Sequence, residues 1–134
     1  MQLLQVSRYK LWYKDEAAES STFVAESKDL YEWSEARLAV GGGAHEGPKV
    51  FSYAGYYWML TDEWKGLRVY RSDNMEHWEK QGLILDGPSL RPEDTPSGAH
   101  ADVLVIDDKA YVFYFTHPGR TSHIESPVDE NGVI

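Results

Sequence analysis

Ser27-Lys28-Asp29-Leu30-Tyr31-Glu32-Trp33 recurs 45 residues later as Ser72-Asp73-Asn74-Met75-Glu76-His77-Trp78. Both copies fit the pattern Ser-x-Asp/Asn-Leu/Met-x-x-Trp, and each follows a short apolar run. A second, looser similarity links residues 45–60 with residues 100–115, at an offset of 55 residues. Periods of roughly 50 residues are typical of propeller blades with four antiparallel strands, so the repeats predict an all-β fold.

Short runs of aromatic and β-branched residues, separated by Gly, Asp, Asn or Pro, supply the strands of these blades. The predicted strands lie at residues 9–14, 22–25, 46–52, 56–61, 67–72, 78–85, 102–106, 110–116 and 121–125. They group into blade A at residues 8–40, which starts at its second strand, blade B at 45–86 and blade C at 100–134. Residues 1–134 are therefore predicted to form one partial domain, with about two and a half blades of a five-bladed propeller.

Composition excludes several classes of function. The 134 residues include 5 Trp and 9 Tyr but no Cys, which rules out thiol catalysis, disulfides and Cys-ligated zinc. A net charge of −9 argues against a nucleic-acid partner and leaves neutral sugars open. No membrane span and no signal peptide are predicted. The compartment stays open: cytoplasmic, or secreted if a longer precursor exists.

One end of the predicted blades collects polar and aromatic side chains. In an up-and-down blade, two connections lie at the same end of the blade. They are the loop between strands two and three and the segment that leads into strand one. The residues predicted at this end are Asp15, Glu16, His45, Glu46, Asp62, Trp64, Arg91, His100, Asp102, His117 and Arg120. Carboxylates for proton transfer beside an aromatic platform suit a site that processes carbohydrate.

The series His45-Glu46-Gly47-Pro48, Gly55-Tyr56-Tyr57-Trp58 and Ser72-Asp73 to Trp78 resembles the five-bladed propeller glycosidases related to glycoside hydrolase family 43. The similarity covers most of residues 8–120. It implies that Glu46, the Glu of a Glu-Gly-Pro motif, is the general acid in hydrolysis of poly- or oligosaccharides. It also implies a channel histidine, for which His100 is the candidate, close to a water or a cation. No cofactor is required, but Ca²⁺ or another channel cation, with His100 as ligand, is compatible with the family.

Two carboxylates of that family have no counterpart here. Its members pair the acid with an Asp general base and with a second Asp that tunes the acid, on strands expected before Tyr9. Asp102 and Asp15 are the remaining candidates for a catalytic carboxylate besides Glu46. The residues expected to bind substrate are His45, Asp62, Trp64, Arg91, His100, His117 and Arg120.

Several alternatives stay open. Glu46 could be a structural carboxylate bonded to backbone N–H groups, His45 a hydrogen-bond donor behind the site, and Trp64 either a sugar platform or packing for an adjacent loop. The other Trp residues, Trp12, Trp33, Trp58 and Trp78, are predicted to fill the core between blades. The whole chain is either a glycosidase or a non-catalytic carbohydrate-binding or assembly module. Two copies of two and a half blades would also complete five as a homodimer.

Overall fold

The computed structural model describes residues 8–91 and 97–117, which form nine β-strands and one 3-10 turn at Glu16–Ala18. The strands are β1 (Tyr9–Asp15), β2 (Ser21–Ser27), β3 (Arg37–Val40), β4 (Glu46–Tyr53), β5 (Tyr56–Asp62), β6 (Leu67–Ser72), β7 (Glu79–Ile84), β8 (Ala99–Ile106) and β9 (Lys109–Phe115). The all-β prediction is confirmed. The strand predicted at residues 121–125 lies outside the described residues.

The strands form three open antiparallel sheets in chain order. Sheet one is β1-β2-β3, sheet two is β4-β5-β6-β7 and sheet three is β8-β9. Strand β4 packs against both β1 and β8, so sheet two lies between the other two. No helix of the described residues has the length and apolar character to cross a membrane.

The repeated motif forms the same turn twice. In each copy the serine hydroxyl, of Ser27 or Ser72, accepts hydrogen bonds from the backbone N–H groups two and three residues later. A side-chain oxygen of Asp29 or Asn74 accepts from the N–H groups two and three residues beyond it. The apolar residue that follows has a left-handed φ in both copies, 71° at Leu30 and 62° at Met75. In both copies, these side chains accept hydrogen bonds from backbone N–H groups that the tight turn leaves without a backbone partner, which explains why the motif recurs.

The second repeat has a different offset from the one predicted. The hairpins β4-β5 and β8-β9 turn at residues 54–55 and 107–108, all four with positive φ, which sets the offset at 53 residues. Each hairpin also has an irregularity near its open end, where Gly47 and His100 have positive φ. The predicted offset of 55 is wrong because it matched His45 with His100. The strand register instead makes His100 equivalent to Gly47.

The main core lies between sheets one and two. It contains the buried residues Val40, Met59 and Tyr70, with Trp12, Val50 and Trp78 packed against them. The rings of Trp12 in sheet one and Trp78, next to β7 of sheet two, meet edge to face at 6.4 Å. The prediction for Trp33 is wrong. Its side chain is 39% exposed, because its indole folds back on its own turn and donates to the Leu30 carbonyl.

An ionic network also joins these two sheets. Lys10 and Arg37 of sheet one both bind Glu26 in β2 and reach Glu76 in the turn of sheet two, at 3.0 and 2.9 Å. The hydrogen bond from Lys10 is the largest cause that lowers the pKa of Glu26, to about 2. The folded state therefore holds this carboxylate ionised at a pH where the unfolded chain binds a proton.

This pKa difference predicts acid sensitivity. The folded pKa of Glu26 lies below its ordinary value of 4.5, so the network stabilises the fold above about pH 4.5 and the stabilisation is lost as the pH falls towards 2. We expect a contribution on the order of 1 kcal/mol, since pairs near solvent are screened. Urea unfolding of the wild type and of Glu26→Gln should give a smaller loss of stability in the variant between pH 4.5 and pH 2.5. Equal losses would contradict this account.

Candidate functional site

Three side chains from two sheets converge at one end of the molecule. Glu46 begins β4, Asp62 ends β5 directly opposite it in the register, and His100 lies near the start of β8. One ligand atom from each of the three lies within 4.8 Å of the others. The cluster forms here because β8 packs against both β4 and β5.

Asp62 is the buried member of the cluster, with 1% of its surface exposed. Its Oδ1 accepts a hydrogen bond of 2.7 Å from the backbone N–H of Trp64. Its Oδ2 accepts from the backbone N–H of His100 at 3.0 Å and lies 3.1 Å from Nδ1 of the same residue. Asp62 was expected to contact substrate, but its burial and these bonds suit it to orient Trp64 and His100 instead.

His100 is held in one orientation. A carboxylate only accepts, so Nδ1 of His100 carries the proton that it donates to Asp62, and Nε2 faces Glu46 Oε1 at 3.8 Å. The imidazole stacks on the ring of Phe115, with centroids 6.0 Å apart and planes inclined by 20°. It also lies against Gly47, where an added Cβ would come within 2.8 Å of the His100 Cδ2 atom.

Glu46 is held by side chains of two neighbouring segments. Its Oε2 accepts from Lys14 Nζ of sheet one, and its Oε1 accepts from Trp64 Nε1 of the β5-β6 loop, both at 3.1 Å. About a quarter of its side chain stays exposed. The alternative that backbone N–H groups bind this carboxylate therefore does not describe its contacts. Lys14 also pairs with Glu16, and that hydrogen bond is the largest cause raising the pKa of Lys14.

Trp64 has a defined position in its loop. Its backbone adopts a left-handed φ of 62°, and its N–H donates to Asp62 while its indole edge donates to Glu46. The side chain is half-buried. These contacts place the indole of Trp64 beside the candidate acid.

His45 has a structural position. It is 2% exposed, its Nδ1 lies 2.8 Å from the Gly43 carbonyl and its Nε2 lies 2.7 Å from the hydroxyl of Thr22. The carbonyl only accepts, so Nδ1 carries the proton and the Thr22 hydroxyl donates to Nε2. Although His45 was expected to bind substrate, both of its nitrogens are engaged in tying β2 to the entrance of β4.

The two candidates for a second catalytic carboxylate have other partners. Asp102 forms an ion pair of 2.7 Å with Lys49, whose hydrogen bond lowers the pKa of Asp102, and its side chain is 76% exposed. Asp15 accepts from the N–H of Ala17 and caps the 3-10 turn. Neither of them joins the group formed by Glu46 and its neighbours.

Three further residues, His117, Arg91 and Arg120, are expected from the sequence to bind substrate. The ring of His117 meets Phe115 edge to face at 5.2 Å, so it supports the ring on which His100 stacks. Arg91 is exposed beyond β7, with its backbone N–H bonded to Ser89. Arg120 lies outside the described residues.

The sequence did not single out Lys14 or Phe115. By strand register, Lys14 near the end of β1 and Phe115 at the end of β9 occupy the position that Asp62 has at the end of β5. Comparing the three sheets at equivalent positions would have found them. Strands β1, β5 and β9 thus end at the cluster, with an ammonium group, a carboxylate and an aromatic ring respectively.

The donor set does not fit a calcium ion. Ca²⁺ takes six to eight oxygen ligands, and both oxygens of Asp62 already accept N–H bonds. His100 Nδ1 is engaged with the same carboxylate. The described residues therefore suit a hydrogen-bonded group better than a Ca²⁺ site.

Neither protein-family models nor curated proteins gave a match to the sequence. The functional assignment accordingly depends on the residues and their geometry.

Proposed function

We propose that this chain is part of a five-bladed propeller glycosidase, similar to glycoside hydrolase family 43, with Glu46 as the general acid. The observation that carries the proposal is the position of Glu46, a partly exposed carboxyl at the meeting point of the sheets and bonded to Trp64. The repeated turns and the repeated hairpins support a propeller, because each sheet uses the same strand template.

In this mechanism Glu46 gives its proton to the glycosidic oxygen as the bond from that oxygen to the anomeric carbon breaks. The leaving group departs as an alcohol, and water adds to the oxocarbenium-like carbon while a general base accepts the proton that the water loses. Trp64 and Lys14 fix the carboxyl, and Asp62 fixes His100 beside it. An inverting enzyme also needs a base about 6.5–9.5 Å from the acid, to activate that water.

One observation favours the alternative of a non-catalytic carbohydrate-binding or assembly module. Among the described residues, the carboxylate that accompanies Glu46 in the cluster is Asp62, which is buried and bonded to His100. Asp102 and Asp15 have partners elsewhere. A module with this surface would bind a sugar beside Trp64 without cleaving it.

A panel of aryl glycosides separates these two functions. Release of the aglycone by the wild type, abolished in Glu46→Gln with sugar binding retained, supports the glycosidase. Saccharide binding by calorimetry without any release supports the binding module. If the chain neither binds saccharides nor cleaves the panel, both proposals fail.

We also propose that two copies of the chain pair through the faces of sheets one and three that point away from sheet two. Phe113 of sheet three is 59% exposed, whereas its equivalent in sheet two, Leu60, is 3% exposed on the side that faces β8. The outer face of sheet one bears Leu11, which is 48% exposed and equivalent to the fully buried Met59. Docking these faces would repeat the contact that already joins neighbouring sheets. Because each chain has three sheets, two such contacts would close a two-fold ring of six sheets, not the five blades that the repeat lengths suggest.

Sedimentation tests this pairing. We expect a dimer for the wild type and a monomer for Phe113→Asp, because a carboxylate in the apolar contact would be buried without a partner. Lys28→Asp, an exposed change in the turn of sheet one, serves as the control and should stay dimeric. A folded wild-type monomer at high protein concentration would contradict the proposal.

A further inference from the structure

A basic groove lies beside the Glu46 cluster. Its cavity has a volume of about 300 Å³ between the glycine-rich connection 41–44 and the β5-β6 loop. Its charged lining consists of Glu63, Lys65, Arg68 and Lys80. Three cations against one carboxylate give a local excess of positive charge, in a chain whose net charge is −9.

The single carboxylate of this groove is already neutralised. Arg68 donates to both oxygens of Glu63, at 2.8 and 3.2 Å, and to the carbonyl of Gln81. The hydrogen bond from Arg68 is the largest cause lowering the pKa of Glu63, and the nearby Lys80 and Lys65 lower it further. The two lysines are both exposed, so their ammonium groups supply the excess charge that a ligand would meet.

The opposite wall of the groove is backbone. Gly42 and Gly43 have φ values of 85° and 152°, and an added Cβ at either would meet no atom within 4 Å. The connection is therefore open to a ligand. Exposed main-chain amides in turns with positive φ are common anion-binding elements in proteins. Tyr70, 5% exposed, also lines the groove.

The groove and the candidate acid are close along the chain. Glu46 follows Gly43 by three residues, so their Cα atoms are at most about 11 Å apart. On the other wall, Trp64 lies between Glu63 and Lys65, and its indole donates to Glu46. On both walls, the groove and the Glu46 cluster are therefore separated by only a few residues of chain.

We infer that this groove binds an anionic group of the saccharide, a carboxylate or a sulfate ester on a sugar next to the one at Glu46. The inference rests on the proposed function and narrows its substrate class to acidic oligosaccharides. Lys65 and Lys80 attract the anion, and the glycine connection gives it room.

Calorimetry with matched disaccharides tests the inference. The probes are one neutral disaccharide, its uronic acid counterpart and its sulfated counterpart. We expect at least one acidic probe to bind about tenfold more tightly than the neutral one, and the two acidic probes distinguish carboxylate from sulfate. The preference should disappear in Lys65→Gln/Lys80→Gln and weaken with added salt. It should persist in Lys28→Gln/Lys109→Gln, which removes the same charge from exposed positions elsewhere.

Equal affinity for neutral and acidic probes would overturn the inference, as would equal loss in the two double variants. If no acidic saccharide binds, the inference about the groove fails, whether or not aryl glycosides are hydrolysed. Binding is measured without turnover, so the groove and the acid can fail separately. If the chain prefers acidic saccharides but cleaves no glycoside, the groove is supported and the glycosidase proposal fails. If the chain cleaves aryl glycosides but binds neutral and acidic saccharides equally, the role of Glu46 is supported and the inference about the groove fails.

Discussion

Replacing Glu46 by Gln is expected to slow the hydrolysis of methyl glycosides by about 10²–10⁴-fold, the usual contribution of a general acid. The amide has nearly the same shape, and its oxygen can still accept from Trp64, but its NH₂ group cannot accept from Lys14 as Oε2 of the carboxylate does. It has no proton to give to an alkoxide leaving group. Dinitrophenyl glycosides leave without that proton, and we expect their hydrolysis to be far less affected.

The measurement is kcat and KM for both leaving groups in the wild type and in Glu46→Gln. Glu79→Gln is the matched control, because Glu79 is 70% exposed, pairs with Arg71 and begins β7 away from the cluster. An equal decrease for both leaving groups would mean that Glu46 does not act as the acid. A higher KM with unchanged kcat would assign it to binding alone.

Replacing Gly47 by Val is expected to destabilise the chain by about 3 kcal/mol and to displace His100. A β-branched residue at a φ of 58° is strained by roughly 1–3 kcal/mol. Its Cβ would also lie 2.8 Å from His100 Cδ2 and 3.0 Å from Nε2, so the imidazole or the strand has to move. In a domain of ordinary stability, about 5–15 kcal/mol, this is a large loss.

Urea unfolding measures the loss, and the ring resonances of His100 report the displacement. Gly82→Val is the control, since Gly82 lies in β7 with open space around it and no positive φ. It should change the free energy of unfolding little. Similar losses in the two variants, or unchanged His100 resonances in Gly47→Val, would contradict the packing described for this ring.

The strands and turns were largely predictable because their signals are local. Ser27 and Ser72 each begin a turn whose hydrogen bonds come from the motif itself, so the repeat in sequence is a repeat in structure. The predicted strand 67–72 coincides with β6. The offset of the second repeat failed because a shared His is a weaker guide than the hairpin turn that sets the register.

The site was only partly predictable because burial and partners depend on packing between sheets. The motif indicated Glu46, and position indicated His100. Asp62 ends a strand in the sequence, but β8 decides that it is covered and bonded to His100. Lys14 comes from another sheet, 32 residues away, so no local pattern links it to Glu46.

Both proposed functions share one claim, that a saccharide binds beside Glu46. The indole N–H resonance of Trp64 tests it most directly, because this group donates to Glu46 and each of the five Trp residues gives its own signal. The account predicts that a bound oligosaccharide shifts the Trp64 signal in a saturable way and leaves that of Trp33, in the turn of sheet one, unchanged. A saccharide that binds without moving the Trp64 resonance would contradict it.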